Sequence, residues 1–114
     1  MYHRENKQEG FLVLAGECIL IVEGESRPLK TWDFFHCPGG TGHVIVGAGY
    51  GPAVVLAVVA RGGRKGVVYE VAPAAIERGA GVDQETTKSA EAYTRFPSST
   101  RVRYRDGWLP DGPD

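Results

Sequence analysis

Short apolar runs, separated by glycine and polar residues, dominate the chain up to about residue 72. Phe11–Ala15 is followed by Gly16-Glu17 and by a second apolar run, Cys18–Val22, and then by Glu23-Gly24-Glu25 and a shorter run at 26–29. Runs of this length between turn residues predict β-strands, and their succession predicts a β-meander. Because the runs are apolar without alternation, we expect both faces of these strands to be covered, as in a sandwich or barrel.

The strand pattern continues on either side of a tight corner. Phe34–Cys37 predicts a strand that Pro38 and the two glycines after it end, because proline cannot donate to a β-ladder. His43–Val46 predicts the strand that leaves the corner. Two further strands are predicted at 53–60, the longest apolar run, and at 67–69, with a loop rich in glycine and basic residues between them.

The character of the chain changes after residue 72. Pro73 and Gly79 bracket a segment with the start and stop signals of a short helix. Ser89 is expected to cap a second helix that runs to about Arg95, and Trp108 is expected to anchor an irregular tail. We therefore predict an all-β core over residues 1–72 and a C-terminal extension, residues 73–114, whose one or two short helices pack on that core.

Composition narrows the classes of protein that need to be considered. The 114 residues fit one domain, and 13 Lys and Arg residues nearly balance 14 Asp and Glu residues, so neither nucleic acid nor an anionic membrane is an expected partner. No apolar run approaches the roughly 20 residues of a membrane span, and the N-terminus has no hydrophobic signal region. We expect a cytoplasmic protein in which Cys18 and Cys37 are buried, reduced thiols; a disulfide, a metal thiolate and a reactive thiol are the alternatives.

Two groups of residues in this chain resemble the conserved motifs of the cupins. Trp32-Asp33 followed by Pro38-x-Gly40-x-x-His43 is similar to the second cupin motif. Glu9 and Gly16 have the spacing of the end of the first motif, and His3 stands where one histidine of its pair lies. The resemblance covers about residues 1–60 and identifies the chain as a small single-domain cupin with an incomplete first motif.

This resemblance implies a cupin-type double-stranded β-helix, a jelly-roll barrel, with a divalent metal ion held inside by His3, Glu9 and His43. A site of two histidines and one carboxylate suits Fe, and imidazole with carboxylate also accepts Mn, Zn or Ni. The family pattern places a second histidine at position 1 or 5, which here are Met and Glu. Either the ligand set is reduced, or Glu5 substitutes, or a histidine lies upstream of this start. The plainer alternatives are a surface carboxylate at Glu9, a corner histidine at His43 and a frayed terminus at His3.

Strand alternation predicts the wall of the pocket. An inward Glu9 takes Phe11 and Val13 inward with it, and an inward His43 takes Ile45. We add the corner residues Phe34 and His36, although a core position for Phe34 and a surface position for His36 remain alternatives. The predicted pocket lining is therefore Phe11, Val13, Phe34, His36 and Ile45.

Two functions remain open from the sequence. One is a cupin that binds a small molecule, with or without a divalent metal. The other is a metal-dependent enzyme of the dioxygenase or isomerase type with His43 and Glu9 as ligands, for which Glu5, His36 and Tyr50 are the nearby acid–base candidates. The incomplete ligand set favours the binding protein, or an enzyme whose first motif begins upstream. Because an apolar strand at 53–60 would leave an exposed edge, we also predict a homodimer.

Overall fold

A computed structural model describes residues 1–62 and 66–109, and within these residues eight strands form three antiparallel sheets. One sheet has the order β5-β2-β7, the second β4-β3-β6, and β1 pairs with β8. The strands are β1 Arg4–Glu5, β2 Glu9–Ala15, β3 Glu17–Val22, β4 Glu25–Leu29, β5 Phe34–Cys37, β6 His43–Ala48, β7 Val54–Val59 and β8 Val67–Val68.

The positions of the strands agree with the apolar runs, but the order in which they pair does not agree with a meander. Only β3 and β4 form the predicted kind of hairpin, whereas β2 pairs with β5 and β7 in the opposite sheet. The segment of His3 and Glu5 does not pair with the strand of Glu9 that follows it. β1 pairs with β8, and His3 forms an isolated bridge with His43. The chain therefore passes back and forth between two sheets, and this brings β2 and β6 to opposite walls of one interior.

Two short helices follow the strands: α1 Pro73–Glu77 and α2 Ser89–Ala92. Helix α1 begins with the predicted proline, and Gly79 after it has a φ of 69°, a left-handed conformation that favours glycine. Ser89 is the first residue of α2 and not its cap, which is Lys88. This second helix ends at Ala92, well before Arg95.

Buried residues of the C-terminal segment contact the strand region at two places. Ala75 clusters with Tyr2, Ile21 and Ala72, whereas Val82 and Ala92 cluster with Tyr69. Trp108 does not anchor the tail on the strand region as predicted, because it is 47% exposed and its ring contacts Tyr104 in the tail itself. Cys18 and Cys37 are free and buried, as expected.

Parts of two predicted segments, 63–65 in the basic loop and 110–114 at the end of the tail, lie outside the described residues. Across the part of the chain that is described, no helix combines the length and the apolar character that crossing a bilayer requires.

Candidate metal centre

Three separate strands bring four metal-ligating side chains together. Glu9 is the first residue of β2 and His43 the first of β6, while Glu5 lies in β1 and His3 just before it. The backbone N–H of His3 donates to the carbonyl of His43 at 3.1 Å, and the N–H of His43 donates to the carbonyl of His3 at 2.9 Å. This reciprocal pair fixes the two histidines side by side, with ring centroids 4.7 Å apart.

The Pro-Gly corner positions His43 and joins it to β1. Gly40 has a φ of 82°, and its N–H donates to the carbonyl of Glu5 at 2.6 Å. Gly42 lies so close to Tyr2 that a Cβ there would collide with the phenol oxygen. The two glycines therefore allow the corner to lie against the strand that carries Glu5.

One potential ligand atom of each of the four residues lies within 4.8 Å of the others. The Nε2 atom of His43 lies 3.0 Å from Oε1 of Glu9, and Nε2 of His3 lies 3.5 Å from the same oxygen and 3.3 Å from Oε1 of Glu5. His43 and Glu9 are buried, with 2% and 9% of their side chains exposed. His3 and Glu5 retain 22% and 18%, so the cluster is open on their side.

Hydrogen bonds to the backbone fix which nitrogen of each ring faces the cluster. Nδ1 of His43 lies 2.8 Å from the carbonyl of Thr41, and Nδ1 of His3 lies 2.9 Å from the carbonyl of Met1. Because a carbonyl only accepts, each Nδ1 carries the hydrogen and donates it. The lone pair of each neutral ring is then on Nε2 and points at carboxylate oxygens. Four groups that accept in their unprotonated forms thus converge, and they need a proton or a cation between them.

The pKa values show how the protein responds when only protons are present. Burial, together with the neighbouring Glu5 carboxyl, raises the pKa of Glu9 to about 8. The pKa of Glu5 is lowered, mainly by hydrogen bonding with Glu9. Burial lowers the pKa of His43. At neutral pH the metal-free protein therefore holds a proton on Glu9, which hydrogen bonds to the Glu5 carboxylate, while the ring of His43 is neutral.

A divalent cation fits the same position. Nitrogen and oxygen ligands at about 2.1 Å from a metal lie about 3 to 4.2 Å from one another in an octahedral site, which is close to the separations observed here. Two carboxylates also balance the charge of a divalent ion. Because both Nε2 lone pairs already face the cluster, His3, Glu5, Glu9 and His43 can together hold a metal ion without a change of tautomer.

A cavity of 390 Å³ lies against the cluster, and its walls come from both large sheets. Phe11, Val55 and Ala57 line it from one sheet, and Cys18 and Ile45 from the other. The metal-ligating groups His3, Glu9 and His43 form its polar end. The arrangement is an apolar chamber with a charged end, a typical shape for a small-molecule site.

The predicted pocket lining needs correction at three residues. Phe34 is 63% exposed, and His36 lies on the surface, where its Nε2 contacts Oε1 of Gln8 at 2.9 Å. The register explains this, because His36 pairs with Gly10, which lies between the inward residues of β2, and so shares its outward face. Val13 is fully buried but does not reach the cavity. Phe11 and Ile45 do line it.

The sequence does not decide whether Glu5 replaces the missing histidine of the first motif. The fold brings Glu5 into the cluster. His3 and Glu5 are two positions apart, which is the spacing at which side chains of an extended segment point the same way. This spacing favours a position for Glu5 beside His3. The sequence did not reveal whether this segment is extended, since β1 has only two residues.

The fold and the site define a small β-protein with a cluster of two histidines and two carboxylates beside an apolar cavity. A family model described as a cupin domain matches residues 1–59, more than half of the chain, and the chain therefore belongs to the cupin family. The all-β, cupin-type fold predicted from the sequence is confirmed. Among curated proteins, none matches the chain at a significant level.

Two solved structures are similar to this chain over part of its length. A sugar phosphate isomerase of the cupin superfamily from Silicibacter pomeroyi is 26% identical, with a TM-score of 0.52, over 54% of this chain and 41% of that one. A putative sugar phosphate isomerase from Acidithiobacillus ferrooxidans is 28% identical, with a TM-score of 0.55, over 58% of this chain and 44% of that one. The match thus spans less than half the length of either protein.

Proposed function

We propose that this cupin binds a divalent metal ion through His3, Glu5, Glu9 and His43 and holds a small molecule beside it in the cavity. The observation that carries the proposal is the convergence of four ligand atoms within 4.8 Å, two of them on buried side chains. Burying a carboxylate such as Glu9 without a compensating charge is costly. Iron, manganese, zinc and nickel all accept this mixture of imidazole and carboxylate.

The chain's own residues have distinct tasks in this proposal. His43 and Glu9 form the buried half of the site, where their positions are fixed by β6 and β2. His3 and Glu5 form the half that a ligand can approach. Phe11 and Ile45 exclude water from the adjoining cavity. A bound divalent ion would supply a positive charge that polarises an oxygen of the small molecule.

Metal analysis tests this proposal directly. The protein is purified without chelator, and its metal content is measured by elemental mass spectrometry for wild type, Glu9→Gln and His43→Gln. We expect both variants to lose most of the metal. Glu25→Gln, which changes a side chain that is 76% exposed on β4, serves as the control and should retain it. Metal retained at the wild-type level by both site variants would refute the assignment.

A second candidate function is a metal-dependent isomerase of a phosphorylated sugar. The names of the two similar structures favour an isomerase over a dioxygenase. Of the acid–base candidates, Tyr50 is fully exposed and His36 faces away from the cavity, whereas Glu5 belongs to the cluster. In this second function the metal would be held by His3, Glu9 and His43 alone, and Glu5 would be the base that moves a proton between neighbouring carbons of the substrate.

Deuterium exchange separates the two functions. Metal-loaded protein is incubated with ribose 5-phosphate in deuterated water, and proton NMR follows the carbon next to the carbonyl group. Incorporation that Glu5→Gln abolishes supports the isomerase. Binding of ribose 5-phosphate without incorporation of deuterium would instead support a protein that binds the molecule and does not convert it.

We also propose that two copies associate through the sheet of β5, β2 and β7. β7 lies at the edge of that sheet, and Leu56 and Val58 on it are 49% and 60% exposed. Phe34, Leu12 and Leu56 are directly paired across the three strands, so they form one apolar row on the outer face. Sedimentation should show a dimer that Leu56→Lys weakens. A wild-type monomer at micromolar concentration would contradict this proposal.

A further inference from the structure

A second cleft, distinct from the apolar cavity, reaches the metal-ligating cluster from the side of Glu5. It has a volume of 560 Å³, and Val59, Ala60 and Val67 form its apolar wall. Its charged residues are Glu5, Lys7 and Arg61. Glu5 therefore belongs both to this basic cleft and to the cluster.

Backbone contacts hold the two basic residues on the same cleft. The N–H of Ala60 donates to the carbonyl of Gln8 at 3.1 Å, which places Arg61 beside the turn that carries Lys7. On the other side Glu5 is paired with Val67. Gly66 lies so close to the side-chain amide of Asn6 that a Cβ there would collide with it. Hydrogen bonds and close packing therefore hold the segments that form the cleft against one another.

The two cations have no anionic partner among the described residues. Neither Lys7 nor Arg61 forms an ion pair there, whereas Arg4 on the same segment is paired with Glu23 and Glu70. Glu5 is directed to His3 instead, at 3.3 Å. Two positive side chains that share a concave surface raise the local concentration of anions and gain most from a doubly charged one.

The exposure of the cluster indicates which end of a ligand would meet the metal ligands. Its accessible half consists of His3 and Glu5, and Glu5 is the member that lines the basic cleft. An anionic group held by Lys7 and Arg61 would therefore direct the remainder of a small molecule toward Glu5. A hydroxyl-rich remainder suits a cluster of carboxylate and imidazole groups, and an apolar one does not.

We propose that Lys7 and Arg61 form a phosphate subsite, and that the small molecule bound by this cupin is a phosphate monoester of a polyol or sugar. This inference rests on the proposed binding of a small molecule at the metal centre and assigns the chemical class of that molecule. The names of the two similar structures agree with this chemical class, but the inference rests on Lys7 and Arg61.

Calorimetric titration with inorganic phosphate, ribose 5-phosphate and ribose tests the subsite. Lys7→Gln and Arg61→Gln should each weaken the binding of both phosphorylated probes by about tenfold or more, because each removes a charge-assisted hydrogen bond. Lys7→Arg should retain most of the affinity. Lys30→Gln and Arg78→Gln remove the same charges from exposed positions away from the cleft and should change nothing.

The outcome for the subsite can be separated from the outcome for the metal centre. Wild-type metal content in Lys7→Gln and Arg61→Gln, combined with weaker phosphate binding, supports both proposals. Phosphate binding that depends on Lys7 in a protein that takes up no metal would retain the subsite and overturn the metal centre. Phosphate affinity unchanged by both substitutions, or ribose binding as tightly as ribose 5-phosphate, would overturn the subsite.

Discussion

The Nε2 atom of His43 lies 3.0 Å from Oε1 of Glu9, although 34 positions separate the two residues in the chain. Both side chains are buried, so bulk water cannot compensate a charge on either of them. The Nδ1 hydrogen of His43 is committed to Thr41, so the contact with Glu9 requires a proton or a cation. Several measurable consequences follow from this pair.

Removing metal should make the stability of the protein depend on pH through Glu9. Its pKa is raised to about 8 in the folded protein, so its contribution to stability is lost as pH rises toward 8. The pKa of His43 is lowered by burial, and stability is therefore lost from this residue only as pH falls through about 6.5. Between pH 6.5 and 8 the buried N-terminal amine of Met1, whose pKa is lowered from 8.0, contributes in the opposite direction. We therefore expect the free energy of unfolding of wild type to fall by about 1–2 kcal/mol relative to that of Glu9→Gln over this range.

Chemical denaturation in the presence of chelator at pH 6.5, 7.2 and 8 measures this change. Glu9→Gln cannot titrate at this position and keeps the contribution of the N-terminal amine, so the difference between its profile and that of wild type isolates the effect of Glu9. A free energy of unfolding that changes equally in wild type and in Glu9→Gln between pH 6.5 and 8 would show that the proton assigned to Glu9 is not there.

Metal affinity should change with pH in the opposite direction. A metal ion must displace the proton of Glu9, so each unit of pH below about 8 should weaken binding up to about tenfold, with a plateau above that value. Competition titrations with manganese and zinc at several pH values provide the measurement. An affinity independent of pH between 6.5 and 8 would remove Glu9 from the ligand set.

Glu5→His tests whether Glu5 serves as a ligand. An imidazole at this position adds a softer donor and removes one negative charge, and we expect nickel and zinc to gain about tenfold over manganese. Glu5→Gln, which removes the charge without adding an imidazole, is the matched control. The same order and ratio of metal affinities in wild type and Glu5→His would show that Glu5 lies outside the coordination sphere.

Gly16→Ala should destabilise the fold more than Gly24→Ala, although both glycines have a φ near 80°. The shared conformational cost for a residue with a side chain is about 1–2 kcal/mol. At Gly16 the new Cβ would also lie 2.7 Å from the carbonyl oxygen of Pro52, whereas at Gly24 it meets open space. We expect an additional loss of about 1–3 kcal/mol for Gly16→Ala, measured by urea denaturation. Equal losses would mean that the contact with Pro52 relaxes freely.

The strands could be predicted from the sequence because the apolar runs are short and clearly separated. The pairing of the strands could not be predicted, because glycine and glutamate follow both β2 and β3. Of these two strands, only β3 continues into a hairpin with the next strand. The proximity of Glu9 and His43 was an expectation of the cupin resemblance. The outward orientation of His36 depends on its register with Gly10, and adjacent aromatic residues in β5 give no alternation from which to read it.

The segment that carries His3 is held in place partly by residues far along the chain. The N–H of Tyr2 donates to the carbonyl of Ala80 at 2.7 Å, and the Tyr2 ring packs with Ala72 and Ala75. A protein truncated after position 72 would keep all four candidate ligands. It would lose the contacts of Tyr2 with Ala75 and Ala80, which hold His3 in place. In the proposed metal site the C-terminal segment would therefore contribute to metal retention, and a protein truncated there should release the ion faster than the full chain.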